Sequence, residues 1–210
     1  MRTRLIYVMD PMCSWCWGFA PVVQALIARA QTQGVGADLV VGGLRQERIA
    51  MDQAGRERTA SYWRAVHDAS AQPFNFDAGL PEGLVYDTEP ACRALVAARS
   101  LDAQESWTLA GLIQHAFYVE GRNVTLPPEL LDLAEKSGLP RAEFADRFDS
   151  QAIRDATTAD FDWARNLGIA GFPTLLAEHN GQLALLTNGY QPLEALLPLL
   201  NRWLEHNVSA

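Results

Sequence analysis

The residues of this chain best suited to chemistry are two cysteines, Cys13 and Cys16, which are separated by Ser14 and Trp15. Two thiols at this spacing can act in turn: one attacks a disulfide, and the other then attacks the mixed disulfide that results. An unbroken apolar run ends just before Cys13 and a helical pattern begins at Ser14, which predicts Cys13 at a helix start. Unpaired backbone N–H groups and the helix dipole favour a thiolate there. We therefore expect Cys13 to be the exposed nucleophile and Cys16 the shielded resolving thiol.

The cysteine pair has two other interpretations. Half of a zinc site has the same spacing, but the chain has no second pair at ligand spacing, and its four histidines are scattered. We therefore expect no metal. Two inert core cysteines are the other interpretation, although such residues have no need of a helix N-terminus. The third cysteine, Cys92, lies on the apolar face of a predicted helix and is interpreted as a core residue.

A second candidate feature lies far along the chain, at Phe172-Pro173. This pair opens a predicted strand, and a cis X-Pro bond is a recurrent device at such a position. A cis proline beside Cys13 would expose the Phe172 backbone, so that a substrate segment could pair with it like an added strand. The alternative is an ordinary trans proline at a strand edge.

Three further residues near the cysteines are candidates for supporting roles. Trp15 and Trp17 are predicted to form an apolar rim for substrate around the thiols, and packing between two domains is an equally good account of them. Asp10 ends the first strand and is a candidate proton relay for Cys16. Its alternative role is that of a turn or cap residue before Pro11.

The elements around these residues have the order β-α-β, a helical block, then β-β-α. Strands are predicted at residues 4–9, 37–44, 174–177 and 183–187, with a hairpin turn at 179–181. Helices are predicted at 14–30, 59–70, 89–100, 104–120, 128–136, 141–148 and 151–167, followed by a C-terminal helix, and residues 72–87 are predicted to be a loop. This order predicts an α/β fold with one four-stranded mixed sheet.

Composition limits the classes of function. The chain has 210 residues, of which 49% are hydrophobic, so it can bury a core as one domain or as one domain with a large insertion. Its net charge of −8 argues against nucleic acid or an anionic membrane as a partner. No apolar run is long enough to span a bilayer, and residues 1–9 lack the features of a secretory signal. We therefore expect a cytoplasmic protein.

Four segments of the chain resemble the DsbA family, and more narrowly its FrnE-like and predicted protein-disulfide isomerase branch. They are residues 10–18 around the cysteines, residues 168–175 around Pro173, and residues 88–94 and 116–124 in the helical block. The resemblance implies a thioredoxin-like fold with an inserted α-helical domain. The thioredoxin-like domain would comprise residues 1–45 plus 165–210, and the insertion residues 46–164. The resemblance also implies that Cys13, Cys16 and Pro173 are the catalytic residues, with Pro173 in cis.

The function that the resemblance implies is a thiol–disulfide oxidoreductase or protein-disulfide isomerase. Its partners would be protein or small-molecule disulfides, with no cofactor and with glutathione as a candidate redox partner. Strong oxidants of the family carry a histidine between the cysteines, whereas this chain has Ser14-Trp15, so we expect a less oxidising disulfide. Two alternatives stay open on the same fold: a glutathione-dependent transferase or isomerase of the kappa-class or 2-hydroxychromene-2-carboxylate type, and a non-catalytic protease adaptor.

Overall fold

The computed structural model describes residues 2–208, so Met1, Ser209 and Ala210, which lie at the ends of the predicted domain segments, are outside it. The strands are β1 (Thr3–Met9), β2 (Gly36–Val41), β3 (Gln46–Ala50), β4 (Val85–Asp87), β5 (Thr174–His179) and β6 (Gln182–Asn188). The helices are α1 (Ser14–Gln31), α2 (Gln53–Ser70), α3 (Glu89–Leu101), α4 (Ala103–Tyr118), α5 (Pro127–Lys136), α6 (Arg141–Asp149), α7 (Gln151–Asn166) and α8 (Leu193–Asn207).

The main sheet has the strand order β2-β1-β5-β6, which confirms the predicted four-stranded mixed sheet. Strand β1 runs parallel to β2 and antiparallel to β5, and β5 pairs with β6 in a hairpin. Asn180 and Gly181 both adopt positive φ in the turn, at 52° and 82°. This backbone geometry matches the right-handed twist of the two strands.

Both faces of the central strand β1 are buried, as its unbroken apolar run predicts. Leu5, Tyr7 and Met9 face the large core, which includes residues of α1 and α8. Ile6 and Val8 face the opposite side, where they pack with Ala164 of α7 and Leu176 of β5. Strand β1 is thus packed on both faces, which fixes the position of the turn that follows it.

The region between β2 and β5 is mostly helical, but it also contains a two-stranded antiparallel sheet formed by β3 and β4. The prediction of a loop over residues 72–87 is therefore wrong for Val85–Asp87. Strand β3 was also not predicted, because all five of its residues are exposed and it has no apolar alternation. Only pairing between the two segments makes them strands.

Helix α2 begins at Gln53, six residues before the predicted start at residue 59. Its cap is Asp52, whose Oδ1 accepts a hydrogen bond from the backbone N–H of Gly55 at 2.7 Å. Residues 53–58 at the start of this helix are small, polar or charged, so the apolar period used for the prediction starts only later.

Helix α1 continues through Pro21, which lies inside it. Proline has no N–H, so it cannot bond to the carbonyl of Trp17 four residues earlier. The side chain of Gln72 replaces the missing donor, with its Nε2 at 2.9 Å from the Trp17 oxygen. A group from outside the helix therefore satisfies the carbonyl that Pro21 leaves without a partner.

Among residues 2–208, no helix combines the length and apolar character required to cross a membrane.

Candidate active site

Cys13 is the N-cap residue of α1, at the end of the turn that leads out of β1. Its backbone N–H donates to the Asp10 carbonyl at 3.0 Å, and its own carbonyl accepts from Cys16 N–H at 3.0 Å and Trp17 N–H at 3.1 Å. The first turn of α1 contains no acidic side chain. The Cys13 sulfur therefore lies at the positive end of a helix, as the sequence predicts.

Cys16 lies directly behind Cys13 and is fully buried. Cys13 is also buried, with only 5% of its surface accessible, so the expectation of an exposed Cys13 is wrong, because the Phe172 backbone lies against its sulfur. Burial raises the pKa of the Cys16 thiol well above its usual range, and the neighbouring Cys13 adds to this shift. Cys16 thus holds its proton in the reduced state. Both residues are free thiols in this structure.

The loop before β5 brings Phe172 against the first cysteine. The Cys13 thiol donates to the Phe172 carbonyl at 3.5 Å, and the Phe172–Pro173 bond is cis. The Phe172 ring lies over Gly42, where an added Cβ would come within 2.0 Å of the ring. The ring is therefore an anchor to the loop after β2, and only the Phe172 backbone faces the thiol.

Asp10 is fully buried below the active-site turn, and its carboxylate accepts four hydrogen bonds. Oδ1 accepts from Met12 N–H at 2.8 Å, while Oδ2 accepts from Leu44 N–H at 2.7 Å, the Thr88 hydroxyl at 2.6 Å and the Cys92 thiol at 3.3 Å. Burial raises the pKa of Asp10, although these donors oppose the shift. The carboxylate joins three separate segments, which favours the structural role for Asp10.

The network around Asp10 gives Cys92 a contact that its helical position did not reveal. Cys92 is buried, as expected for a core residue, and its helix α3 starts directly after Thr88. Thr88 and Cys92 are four residues apart and so share one helix face. No local pattern connects that face with Asp10, which lies 78 and 82 positions away.

The two tryptophans of the motif have different surroundings. Trp15 is half-buried, with its ring 5.6 Å from that of Tyr190. Trp17 is only 8% exposed, stacks on Tyr118 at 6.1 Å and donates its indole N–H to the Pro73 carbonyl at 2.9 Å. The geometry favours packing for Trp17, and substrate contact stays a prediction for Trp15.

Three buried tyrosines that the sequence did not indicate surround the cysteine pair. They are Tyr7 from β1, Tyr86 from β4 and Tyr118 from α4. Burial raises the pKa of each phenol, and the nearby Cys13 thiol contributes to every shift. The Tyr86 hydroxyl donates to the Met12 carbonyl at 2.6 Å, whereas those of Tyr7 and Tyr118 have no partner among the described residues.

Within residues 2–208, no group of three or more His, Cys, Asp or Glu side chains is placed to hold a metal ion. The arrangement has one thiol at a helix N-terminus, a second thiol buried behind it, and the Phe172 backbone carbonyl within hydrogen-bond distance of the first. Such a site is suited to thiol–disulfide exchange.

Two solved structures are similar to this chain over almost its whole length. A protein described as a candidate protein disulfide isomerase from Nitrosomonas europaea is 36% identical, with a TM-score of 0.91, and the match covers 98% of this chain and 99% of that one. The cytosolic disulfide reductase DsbM from Pseudomonas aeruginosa is 29% identical, with a TM-score of 0.79 and coverage of 95% and 98%. A further structure of DsbM contains glutathione (GSH).

The curated relatives are more distant. The ClpXP adapter protein SpxH of Halalkalibacterium halodurans is 21% identical over 93% of this chain, and SpxH of Bacillus subtilis is 24% identical over 80%. The chain spans 66% and 55% of the length of these two relatives.

The family model of the DSBA-like thioredoxin domain matches residues 4–201, which include Cys13, Cys16 and Pro173. The chain therefore belongs to the family of DSBA-like thioredoxin domains.

Proposed function

We propose that this protein is a thiol–disulfide oxidoreductase in which Cys13 is the nucleophile and Cys16 the resolving thiol. One observation carries the proposal: the Cys13 sulfur lies at the N-terminus of α1 and within 3.5 Å of the Phe172 carbonyl, while Cys16 behind it is fully buried. Both thiols are buried, and the position of Cys13 at the helix N-terminus, in front of Cys16, gives each of them one step of the exchange.

In the first step the Cys13 thiolate attacks one sulfur of a substrate disulfide. A mixed disulfide forms, and the other substrate sulfur leaves as a thiolate that takes a proton from solvent. Cys16 then loses its proton and attacks the Cys13 sulfur. The bond between Cys13 and the substrate breaks, the second substrate thiolate leaves, and a Cys13–Cys16 disulfide remains. The substrate gains two electrons and the dithiol loses them, and the reverse sequence oxidises a dithiol substrate.

The backbone of Phe172 supports protein or small-molecule disulfides as substrates. Phe172 is half-buried, and its N–H has no hydrogen-bond partner among the described residues. An extended segment that carries a disulfide can pair with this backbone while its sulfur meets Cys13.

We propose glutathione as the redox partner and the cytoplasm as the location of the protein. The similarity to DsbM supports both, since that protein is described as a cytosolic reductase and one of its structures contains glutathione. The dithiol is the whole reactive centre in this proposal, and no cofactor enters the exchange.

Cysteine variants test the proposed exchange. The reduced protein is mixed with oxidised glutathione, the adducts are identified by mass spectrometry, and turnover is measured with glutathione reductase. Cys13→Ser should abolish both adduct and turnover. Cys16→Ser should accumulate a glutathionyl adduct on Cys13, because nothing resolves it. Cys92→Ser is the control that should leave both unchanged, since serine still donates a hydrogen bond to Asp10.

Two outcomes of this experiment would contradict the proposal. An adduct on Cys16 in preference to Cys13 would reverse the roles of the two thiols. Full activity in Cys16→Ser towards glutathione conjugation or isomerisation would favour the glutathione-dependent transferase or isomerase.

A second candidate function is that of a protease adaptor, which the similarity to the ClpXP adapter protein SpxH favours. An adaptor needs a binding surface and no redox step. Binding of the Cys13→Ser/Cys16→Ser double variant to ClpX, measured by light scattering or calorimetry, tests it. Binding equal to that of the native protein would support the adaptor function, and lack of binding by both proteins would exclude it.

A further inference from the structure

The small sheet of β3 and β4 contacts the active-site turn through Tyr86, the middle residue of β4. The Tyr86 hydroxyl donates to the Met12 carbonyl at 2.6 Å, and Met12 directly precedes Cys13 in the chain. Tyr86 is only 4% exposed and Met12 is fully buried, so this hydrogen bond is shielded from solvent. The peptide bond that leads into Cys13 is therefore held by a side chain more than 70 positions away.

A cation lies over the ring of the same tyrosine. The Cζ of Arg45 is 4.8 Å from the centre of the Tyr86 ring, a distance at which a guanidinium and an aromatic face attract each other. Among residues 2–208, no carboxylate is within ion-pair distance of Arg45. The charge of Arg45 thus has no paired carboxylate in that part of the chain, and it polarises the Tyr86 O–H, which makes the phenol a stronger hydrogen-bond donor.

The backbone of Arg45 is attached to the active-site turn by a second route. Its N–H donates to the Thr88 hydroxyl at 3.3 Å, and its carbonyl accepts from the Thr88 N–H at 2.9 Å. The Thr88 hydroxyl in turn donates to the Asp10 carboxylate at 2.6 Å. Main-chain contacts therefore fix Arg45 beside the turn, and a substitution of its side chain leaves them in place.

A thiolate on Cys13 needs polar support, because Cys13 is buried and a buried anion is costly without compensating groups. The N-terminus of α1 supplies one such group. The two residues between the cysteines carry no charge, and the buried Asp10 carboxylate opposes a second negative charge nearby. The negative end of the Met12 carbonyl dipole would oppose it as well, and the hydrogen bond from Tyr86 offsets that dipole.

We propose that Tyr86, with Arg45 stacked on its ring, is a positioning residue that stabilises the Cys13 thiolate through the Met12 carbonyl. The inference rests on the proposed function and concerns its first step, in which this thiolate attacks the substrate disulfide. Tyr86 acts through the peptide bond between Met12 and Cys13. A stabilised thiolate favours the reduced dithiol over the Cys13–Cys16 disulfide, so the disulfide becomes more oxidising and the attack at neutral pH becomes faster.

The test is the equilibrium of the protein with reduced and oxidised glutathione at neutral pH, with the oxidation state of Cys13 and Cys16 measured by alkylation and mass spectrometry. Tyr86→Phe keeps the ring but removes the O–H. We expect its equilibrium constant for forming the Cys13–Cys16 disulfide to rise about tenfold, because a buried acceptor beside the thiolate loses its hydrogen bond. Arg45→Gln should raise the constant about threefold, and Arg45→Lys, which keeps the cation, should stay closer to the native value.

Tyr190→Phe is the matched control. The Tyr190 hydroxyl also donates to a backbone carbonyl, that of Ala69 at 3.0 Å, which is not part of the active-site turn. The equilibrium constant of this variant should be native.

Three outcomes would count against these assignments. A Tyr86→Phe protein that unfolds at lower urea concentration but keeps the native equilibrium constant would show a purely structural role and overturn this inference alone. Equal effects of Arg45→Gln in the native and Tyr86→Phe backgrounds would overturn the part assigned to Arg45. Failure of the native protein to exchange with glutathione at Cys13 would overturn the proposed function as well.

Discussion

At the residue scale, Asp10 determines how the active-site turn is held. Its fully buried carboxylate would be costly to keep inside the protein without partners, but four donors from the turn, the loop after β2 and helix α3 satisfy it. This arrangement makes Asp10 a structural link between distant segments.

Replacing Asp10 should therefore lower stability more than replacing one of its donors. Asp10→Ala leaves several buried donors unpaired, and we expect the free energy of unfolding to fall by about 3 kcal/mol, since each such group costs about 1–3 kcal/mol. Asp10→Asn keeps one acceptor oxygen and should lose less. Urea unfolding of the reduced protein at neutral pH measures these changes, with Thr88→Val as the single-donor comparison. An Asp10→Ala variant as stable as the native protein would contradict the structural role.

At the element scale, Pro21 and Gln72 act together within and beside α1. Pro21 removes one backbone hydrogen bond from the helix that positions both thiols, and Gln72 from the segment after α2 supplies a substitute. The hydrogen bond from Gln72 to the Trp17 carbonyl thus links the first turns of α1 to the helical region.

A double-mutant cycle tests this dependence. Gln72→Leu should lower the free energy of unfolding by about 1–3 kcal/mol, because it leaves the Trp17 carbonyl unpaired in the interior. In a Pro21→Ala background the same change should cost much less, since the introduced alanine restores the missing N–H. Urea unfolding of the four proteins gives the coupling. Equal costs of Gln72→Leu in both backgrounds would show that the Gln72 contact does not replace the proline's missing donor.

At the scale of the whole molecule, the interior around the site contains several buried thiols and phenols that keep their protons at neutral pH. Cys16, Cys92, Tyr7, Tyr86 and Tyr118 are all buried, and burial raises the pKa of every one. In the unfolded chain the thiols ionise near pH 8.5 and the phenols near pH 10, while the folded protein keeps these protons. The unfolded state therefore loses protons first as the pH rises.

Stability should consequently fall in alkaline solution. The contribution of these groups to the free energy of unfolding is fully present below about pH 8. It decreases as the pH rises towards the raised pKa values, by about 1.4 kcal/mol per pH unit for each group that is ionised only in the unfolded state. Urea unfolding of the reduced protein from about pH 7 to about pH 10 measures the slope. The Cys16→Ser/Cys92→Ser variant should show a shallower fall between about pH 8 and pH 10. A flat profile in the native protein would contradict the burial of these groups.

Local sequence pattern was sufficient for the elements that carry the thiols. The unbroken apolar run of β1 predicts a strand buried on both faces, and the break at Asp10-Pro11 followed by a helical period predicts Cys13 at the start of a helix. The hairpin after Pro173 follows from Asn180-Gly181, whose residues accept positive φ. In each case neighbours in the chain determine the backbone, so the information is present within a few residues.

The sequence by itself thus determined the mixed sheet, the position of Cys13 at a helix start and the approach of the Pro173 loop. Tertiary structure alone decided the rest: the pairing of β3 with β4, the donors to Asp10, the tyrosines around the thiols and the cavity that Tyr7 and Gln114 line. The physical reason is that periodicity records which face of an element is apolar, but not which distant side chain meets it. Tyr7 and Gln114 belong to apolar patterns in their own elements, and only packing of β1 against α4 brings both to one cavity.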